Sequence, residues 1–173
     1  NNPDSRKEHP SDGWIQRRVL IVKRTGNLQV CNEPTIDLKA FSLPEYIKII
    51  PIIKLLDLSR TNITTLDGIP KPFSKLTTFV ADKSQIADFR NFKVLANARS
   101  FSLKQTPVSK HPHYMLSLLL CVGTEKISTI DGQIIKAKLK SMVNKYPQPI
   151  TSELINKGWM AEYPVPTGKR YHE

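Results

Sequence analysis

The stretch "LLDLSRTNITTLDGIP", residues 55–70, decides the fold. Its apolar positions Leu56, Leu58, Ile63 and Leu66 are separated by two, five and three residues. A half-buried strand alternates every second residue and an amphipathic helix repeats about every 3.6. Neither period accounts for the whole stretch, whereas a short strand, a turn and a return segment do. One such unit cannot bury its own apolar side, so the deciding question is whether it recurs.

It does recur. Anchored on the apolar residue after the turn (Ile63, Ile86, Val108), successive units lie 23 and 22 residues apart. Two residues before each anchor stands a small hydroxyl, Thr61, Ser84 or Thr106. Five before come Leu58, Ala81 and Leu103; seven before, Leu56, Phe79 and Phe101; ten before, Ile53, Leu76 and Ala98. Ile50, Phe73 and Leu95 lie three further upstream, and Leu66 and Ile69 match Phe89 and Phe92 downstream. With the alanines counted as apolar, every core slot agrees across the three units. Coincidental spacing in an ordinary sheet protein does not produce such agreement. Stacked side by side, the units share one continuous core.

These residues resemble the 22-residue class of leucine-rich repeats, whose pattern is L-x-x-L-x-L-x-x-N-x-L. That class includes the phosphatase-one regulatory subunit, dynein light chains and the spliceosomal A-prime proteins. "TPVSKHPHYMLSLLLCVGTEKISTIDGQIIKAKL" (106–139) is similar to the cap that closes such arrays, through Pro107, Val108, Tyr114, Ile127, Ile130, Asp131 and Gly132. The resemblance covers roughly residues 48–142. It implies an α/β fold: a short leucine-rich-repeat solenoid with parallel strands on one face and a C-terminal cap helix. Two departures stand out. Only three units are clear, with a degenerate one before residue 50 left open. The ladder position, where the family has Asn, holds Thr61, Ser84 and Thr106; Asn62 sits one place too late. A hydroxyl lacks the amide's second donor, so looser turns are expected, or turns padded by the segment in front.

The flanks divide the chain further. Residues 1–14 are polar and proline-containing, and read as a flexible lead-in. Residues 15–49 are expected to hold an N-terminal β-hairpin and a linking segment. There the β-rich stretches Val19 to Lys23 and Leu28 to Cys31 flank "RTGN", a turn with the glycine a hairpin wants. Residues 50–146 hold the repeats and cap. Within them "DGQIIKAKLKSMVNKY" (131–146) reads as a helix with Asp131 as its cap and Ile135, Leu139 and Met142 at helical spacing. Residues 147–173 read as an extended proline-containing tail, with one helical turn at 152–157.

The 173-residue chain carries 26 basic and 15 acidic residues, a net charge of +11. Residues 70–145 hold 13 Lys and Arg against 4 acids. Such a surface favours acidic partners, whether RNA, anionic membrane or an acidic protein face; solubility alone is the plain alternative. Aromatics are not interleaved with the lysines as an RNA-stacking platform requires. Cys31 and Cys121, in apolar surroundings without a secretion signal, read as buried free thiols of a reducing compartment. The longest apolar run, "MLSLLLCV" (115–122), is too short to span a membrane. The chain begins at Asn1, which leaves a lost targeting segment open. The expected location is intracellular, in cytoplasm or cytoskeleton, with the nucleus as alternative.

No catalytic motif, cofactor loop or metal-ligand spacing occurs. His111 and His113 flank Pro112 and are read as the start of the cap helix. Asn62-Ile63-Thr64 is a glycosylation sequon that matters only in a secreted chain. Candidate function therefore sits on the strand residues that alternate with the core. Four rows follow from the anchors: Leu55, Thr78, Ser100; Asp57, Val80, Ser102; Ser59, Asp82, Lys104; and Arg60, Lys83, Gln105. Leu55 and Val80 are apolar where solvent is expected, which makes an apolar floor with a charged rim. Either a partner covers them or the chain's own end does, through the tail around Trp159 and Tyr163. The expected role is a non-enzymatic interaction scaffold, a subunit of a larger assembly that binds a protein partner there. The alternatives are an RNA-associated, A-prime-like subunit and a structural component of a microtubule or axoneme.

Overall fold

The computed structural model describes residues 10–31 and 33–167. Its backbone is a six-stranded sheet in chain order: β1 Asn27–Gln29, β2 Leu55–Asp57, β3 Thr78–Val80, β4 Ser100–Ser102, β5 Thr129–Ile130 and β6 Gln133–Ile134. Strands β1 to β5 run parallel, and β6 turns back antiparallel against β5. Leu55, Thr78 and Ser100 are register partners in turn, as are Leu56, Phe79 and Phe101, then Asp57, Val80 and Ser102. That is the register read from the anchors. Leu28 pairs with Leu56, so β1 belongs to the degenerate first unit.

Every core slot of the three units is buried, Ala81 and Ala98 included. Phenylalanines fill the interior between strand and return. Phe79 meets Phe92 edge-on at 5.7 Å between ring centres, Phe89 meets Phe92 at 4.9 Å, and Phe41 meets both Trp14 and Phe73 at 5.7 Å. Each edge-to-face pair adds about 0.5–1.5 kcal/mol beyond the area it buries. The returns hold short 3-10 turns, Ile50–Ile52, Phe92–Leu95 and Val108–Lys110. Pro70 and Pro72 withhold backbone donors along the return between β2 and β3, which holds no helix.

The ladder hydroxyls are buried, and each donates within its own turn: Thr61 to the Leu58 carbonyl, Ser84 to Ala81, Thr106 to Leu103, at 2.7–2.8 Å. Ties between turns come from elsewhere. Backbone bonds join Leu58 N to Val80 O and Ala81 N to Ser102 O. The carboxylates of Asp82 and Asp131 accept from Lys104 N and Leu103 N, and Asn91 donates its amide to the Leu66 and Ile69 carbonyls. The looseness expected of a hydroxyl ladder is thus offset by two aspartates and a return-segment asparagine.

The N-terminal hairpin is corrected. Val19–Thr25 is a helix, α2, preceded by the short α1 Gly13–Gln16. Gly26, at φ 76°, donates its N–H to the Val22 carbonyl and leads directly into β1. A left-handed glycine serves a helix C-terminus as well as a hairpin turn, and here it does the former. Of the lead-in, residues 1–9 lie outside the described residues. Trp14 is already core at 2% exposure, so the folded domain starts before residue 15. Asp12 also accepts from the Tyr46 hydroxyl, in the short helix α3 Pro44–Ile47. Arg18 donates to the Gln29 carbonyl and to Glu33, tying α2 across the free edge of β1.

At the other end, α4 Tyr114–Val122 closes the array, followed by the β5–β6 hairpin, α5 Ala137–Val143 and α6 Ile150–Ile155. The helix expected over 131–146 starts only at Ala137. Asp131 and Gly132, at φ 54° and 80°, form the hairpin turn instead of a helix cap, and Asp-Gly suits that geometry. The helical turn expected in the tail at 152–157 is found as α6, but the tail around it folds back instead of extending, as far as residue 167; 168–173 lie outside the described residues. Helix α6 packs on α4, with Thr151, Ile155 and Ala161 buried. Ser152 donates to the Cys121 carbonyl, and Ala161 N donates to the Ser117 hydroxyl. Cys121 is buried as expected, but Cys31 is exposed. No helix among the described residues is long and apolar enough to cross a membrane.

Candidate functional site

Strands β2, β3 and β4 each show a buried centre between two half-buried neighbours. Leu56, Phe79 and Phe101 point into the core, which leaves the Leu55 and Asp57 rows facing out. The sheet therefore brings Leu55, Thr78, Ser100, Asp57, Val80 and Ser102 together on one face. At the row ends Thr129 donates to the Ser100 hydroxyl at 3.0 Å, extending the face to β5. In the tail, Asn156 receives hydrogen bonds from Asn91 N and Lys93 N in the Phe92–Leu95 return.

The other two rows lie beyond the strands, in the turns. Asp57 accepts from Ser59 N at 2.9 Å; Asp82 accepts from the Ser102 hydroxyl at 2.7 Å and from Lys104 N at 2.9 Å. These carboxylates organise turns, which the spacing alone did not reveal. Arg60, Lys83 and Gln105 recur in the left-handed region, at φ 61°, 60° and 57°, and with Lys104 they form the exposed rim. Asn62 holds Ile36 N at 2.8 Å through its side-chain oxygen, pinning the segment before the array.

The titratable groups near the cap are structural in their surroundings. Burial pushes the Tyr114 phenol well above its usual value, helped by its bond to Asp131. Burial pushes the Cys121 thiol up to about 12. His111 is lowered by burial and by neighbouring His113, whose backbone N–H donates to its Nδ1 at 3.0 Å. His113 immediately precedes α4, so the helix starts after both histidines and not with them. Among the described residues, no three His, Cys, Asp or Glu gather where a metal ion could be held.

Parallel strands in 22- and 23-residue register, a buried hydroxyl ladder and a capped end define a short leucine-rich-repeat solenoid of mixed α/β class. No family model and no curated protein matches the sequence. Among solved structures, the chain is similar to one in "Crystal structure of Drosophila melanogaster SNF/U2A' complex", at 16% identity over 76% of this chain and 85% of that one, with a TM-score of 0.42.

Proposed function

We infer that the chain is a non-enzymatic interaction scaffold, a subunit of a larger intracellular assembly that holds a protein partner on the strand face. The observation that carries this reading is the pair of adjacent in-register rows, with Leu55 and Val80 half-exposed among small hydroxyls. An apolar floor inside a polar rim is the anatomy of a protein interface. The rim residues Arg60, Lys83 and Lys104, with the net charge of +11, favour a partner whose surface is acidic.

The test is affinity purification of the full chain beside a Leu55→Glu, Val80→Glu double variant, with partners identified by mass spectrometry. Both positions are half-exposed, so the variant should keep its circular dichroism and melting behaviour while losing its partner. Retention of the partner by the variant would sink the strand-face reading. The identity of the captured proteins separates a splicing particle from a microtubule assembly. A salt-sensitive gel shift with RNA would move the reading to an RNA-associated subunit.

A further inference from the structure

Ile134 is the most exposed large apolar residue of the described chain, at 82%. It stands on β6, the last edge of the sheet, beside a recess of about 250 Å³ walled by Met115, Ile130, Leu139 and Met142. A second recess of about 400 Å³ shares Met115, Leu139 and Met142 and continues between α4 and α5 toward His111 and His113. The two make one apolar groove. Among the described residues its charged lining is of one sign: Lys136 and Lys138 border the first recess, and no carboxylate lines either. Asp131, the acid in the adjoining turn, is engaged by Leu103 N and the Tyr114 hydroxyl.

The geometry points to this groove as a second docking site, separate from the strand face, for an acidic amphipathic segment of a partner protein. An apolar side chain of that segment enters beside Ile134, and its flanking carboxylates meet Lys136 and Lys138. Charge complementarity selects the occupant: an apolar slot bordered by lysines and by no acid repels a basic segment and attracts an acidic one. The first recess, of about 250 Å³, suits one or two side chains, and the second extends the groove for the rest of a segment. Two methionines in the wall adapt to an irregular apolar insert. A bilayer is disfavoured because the apolar surface, Ile134 apart, is recessed. Single-stranded nucleic acid is disfavoured because, of the rings lining the groove, Tyr114 is buried and stacked on Phe89, and His111 and His113 lie only at its far end.

The chain's three methionines give a direct readout, since Met115 and Met142 line both recesses and Met160 lines neither. The probe is a synthetic peptide of about twelve residues with Leu and Phe at helical spacing and Glu elsewhere, beside a twin with Lys for Glu. In the full chain with methyl-labelled methionine, the Glu peptide should shift Met115 and Met142 saturably, with a dissociation constant below about 1 mM. Met160 should stay in place. Lys136→Glu with Lys138→Glu should weaken the Glu peptide about tenfold and favour the Lys twin. Ile134→Glu, at an exposed site, should weaken it similarly while leaving the fold intact, and the Leu55→Glu, Val80→Glu variant should bind normally.

No methionine shift at millimolar peptide would overturn the proposal. So would equal binding of the two peptides, or loss of binding in the strand-face variant. Shifts produced by phosphatidylserine vesicles but not by peptide would assign the groove to lipid and overturn it as well.

Discussion

Asp131 serves two donors at once, Leu103 N at 2.8 Å and the Tyr114 hydroxyl at 3.0 Å, while its own backbone makes the turn between β5 and β6. One side chain therefore joins β4, the closing hairpin and the first turn of α4. Tyr114→Phe removes the hydroxyl donor and keeps the ring stacked on Phe89. The expected loss is about 1.5–3 kcal/mol, the range for a hydrogen bond to a charged group, read from the urea midpoint. Lys83 tests a different residue-scale effect. Its left-handed backbone costs a residue with a Cβ about 1–2 kcal/mol, and glycine avoids that cost. Lys83→Gly should therefore be more stable than Lys83→Ala by about 1 kcal/mol, although both remove the same exposed side chain. Equal midpoints would mean that the turn carries no conformational strain.

At the scale of elements, the N-terminal closure is held by Glu33, whose carboxylate lies between Arg17 and Arg18. The hydrogen bond from Arg17 is the largest influence, Arg18 follows, and together they hold Glu33 below its ordinary 4.5. A depressed carboxylate contributes its full stabilisation above its unfolded value and loses it as pH falls through its lower folded one. Glu33→Gln should melt below the wild type by a constant margin from neutrality to about pH 4.5, and the margin should close under more acid conditions. A margin that persists in acid would assign the effect to packing. This closure was also the least legible element. Val19 to Lys23 is β-branched and apolar enough for a strand, but only Val22 is buried, while Leu20 and Ile21 face out. Gly26 fits a hairpin turn and a helix end equally. The middle units were legible because two constraints agree there: strand alternation selects the inward residue, and stacking repeats it at fixed spacing. Leu28 pairs with Leu56 across 28 residues, off that period, so the strand expected from Leu28 was assigned to a hairpin and not to the array. The outward rows followed from the same register, whereas the turn-binding roles of Asp57 and Asp82 depend on side-chain geometry that spacing does not encode. The groove was hidden for a further reason. It forms only because Asp131-Gly132 reverses the chain where a continuous helix was expected.

For the whole molecule, the two cysteines report cooperativity. Cys31 is exposed, whereas Cys121 is buried, its thiol pushed up to about 12, beneath the α6 segment that bonds to its carbonyl. An alkylating reagent in mildly alkaline buffer should add one group to the native chain, at Cys31. The second should follow the global unfolding curve in urea, as seen by intact mass. Modification of Cys121 well before that transition would show that the C-terminal helices detach independently of the repeats. The end structures also govern how the array can vary in length. Both are specialised, whereas β2 to β4 are interchangeable in register and contact mainly their neighbours. A duplicated internal unit would add one strand, about 4.8 Å, to the sheet. It would carry the β6 edge away from α2 by that step without altering either. The solenoid thus acts as a ruler, on which repeat number sets the distance between whatever is held at its two extremities.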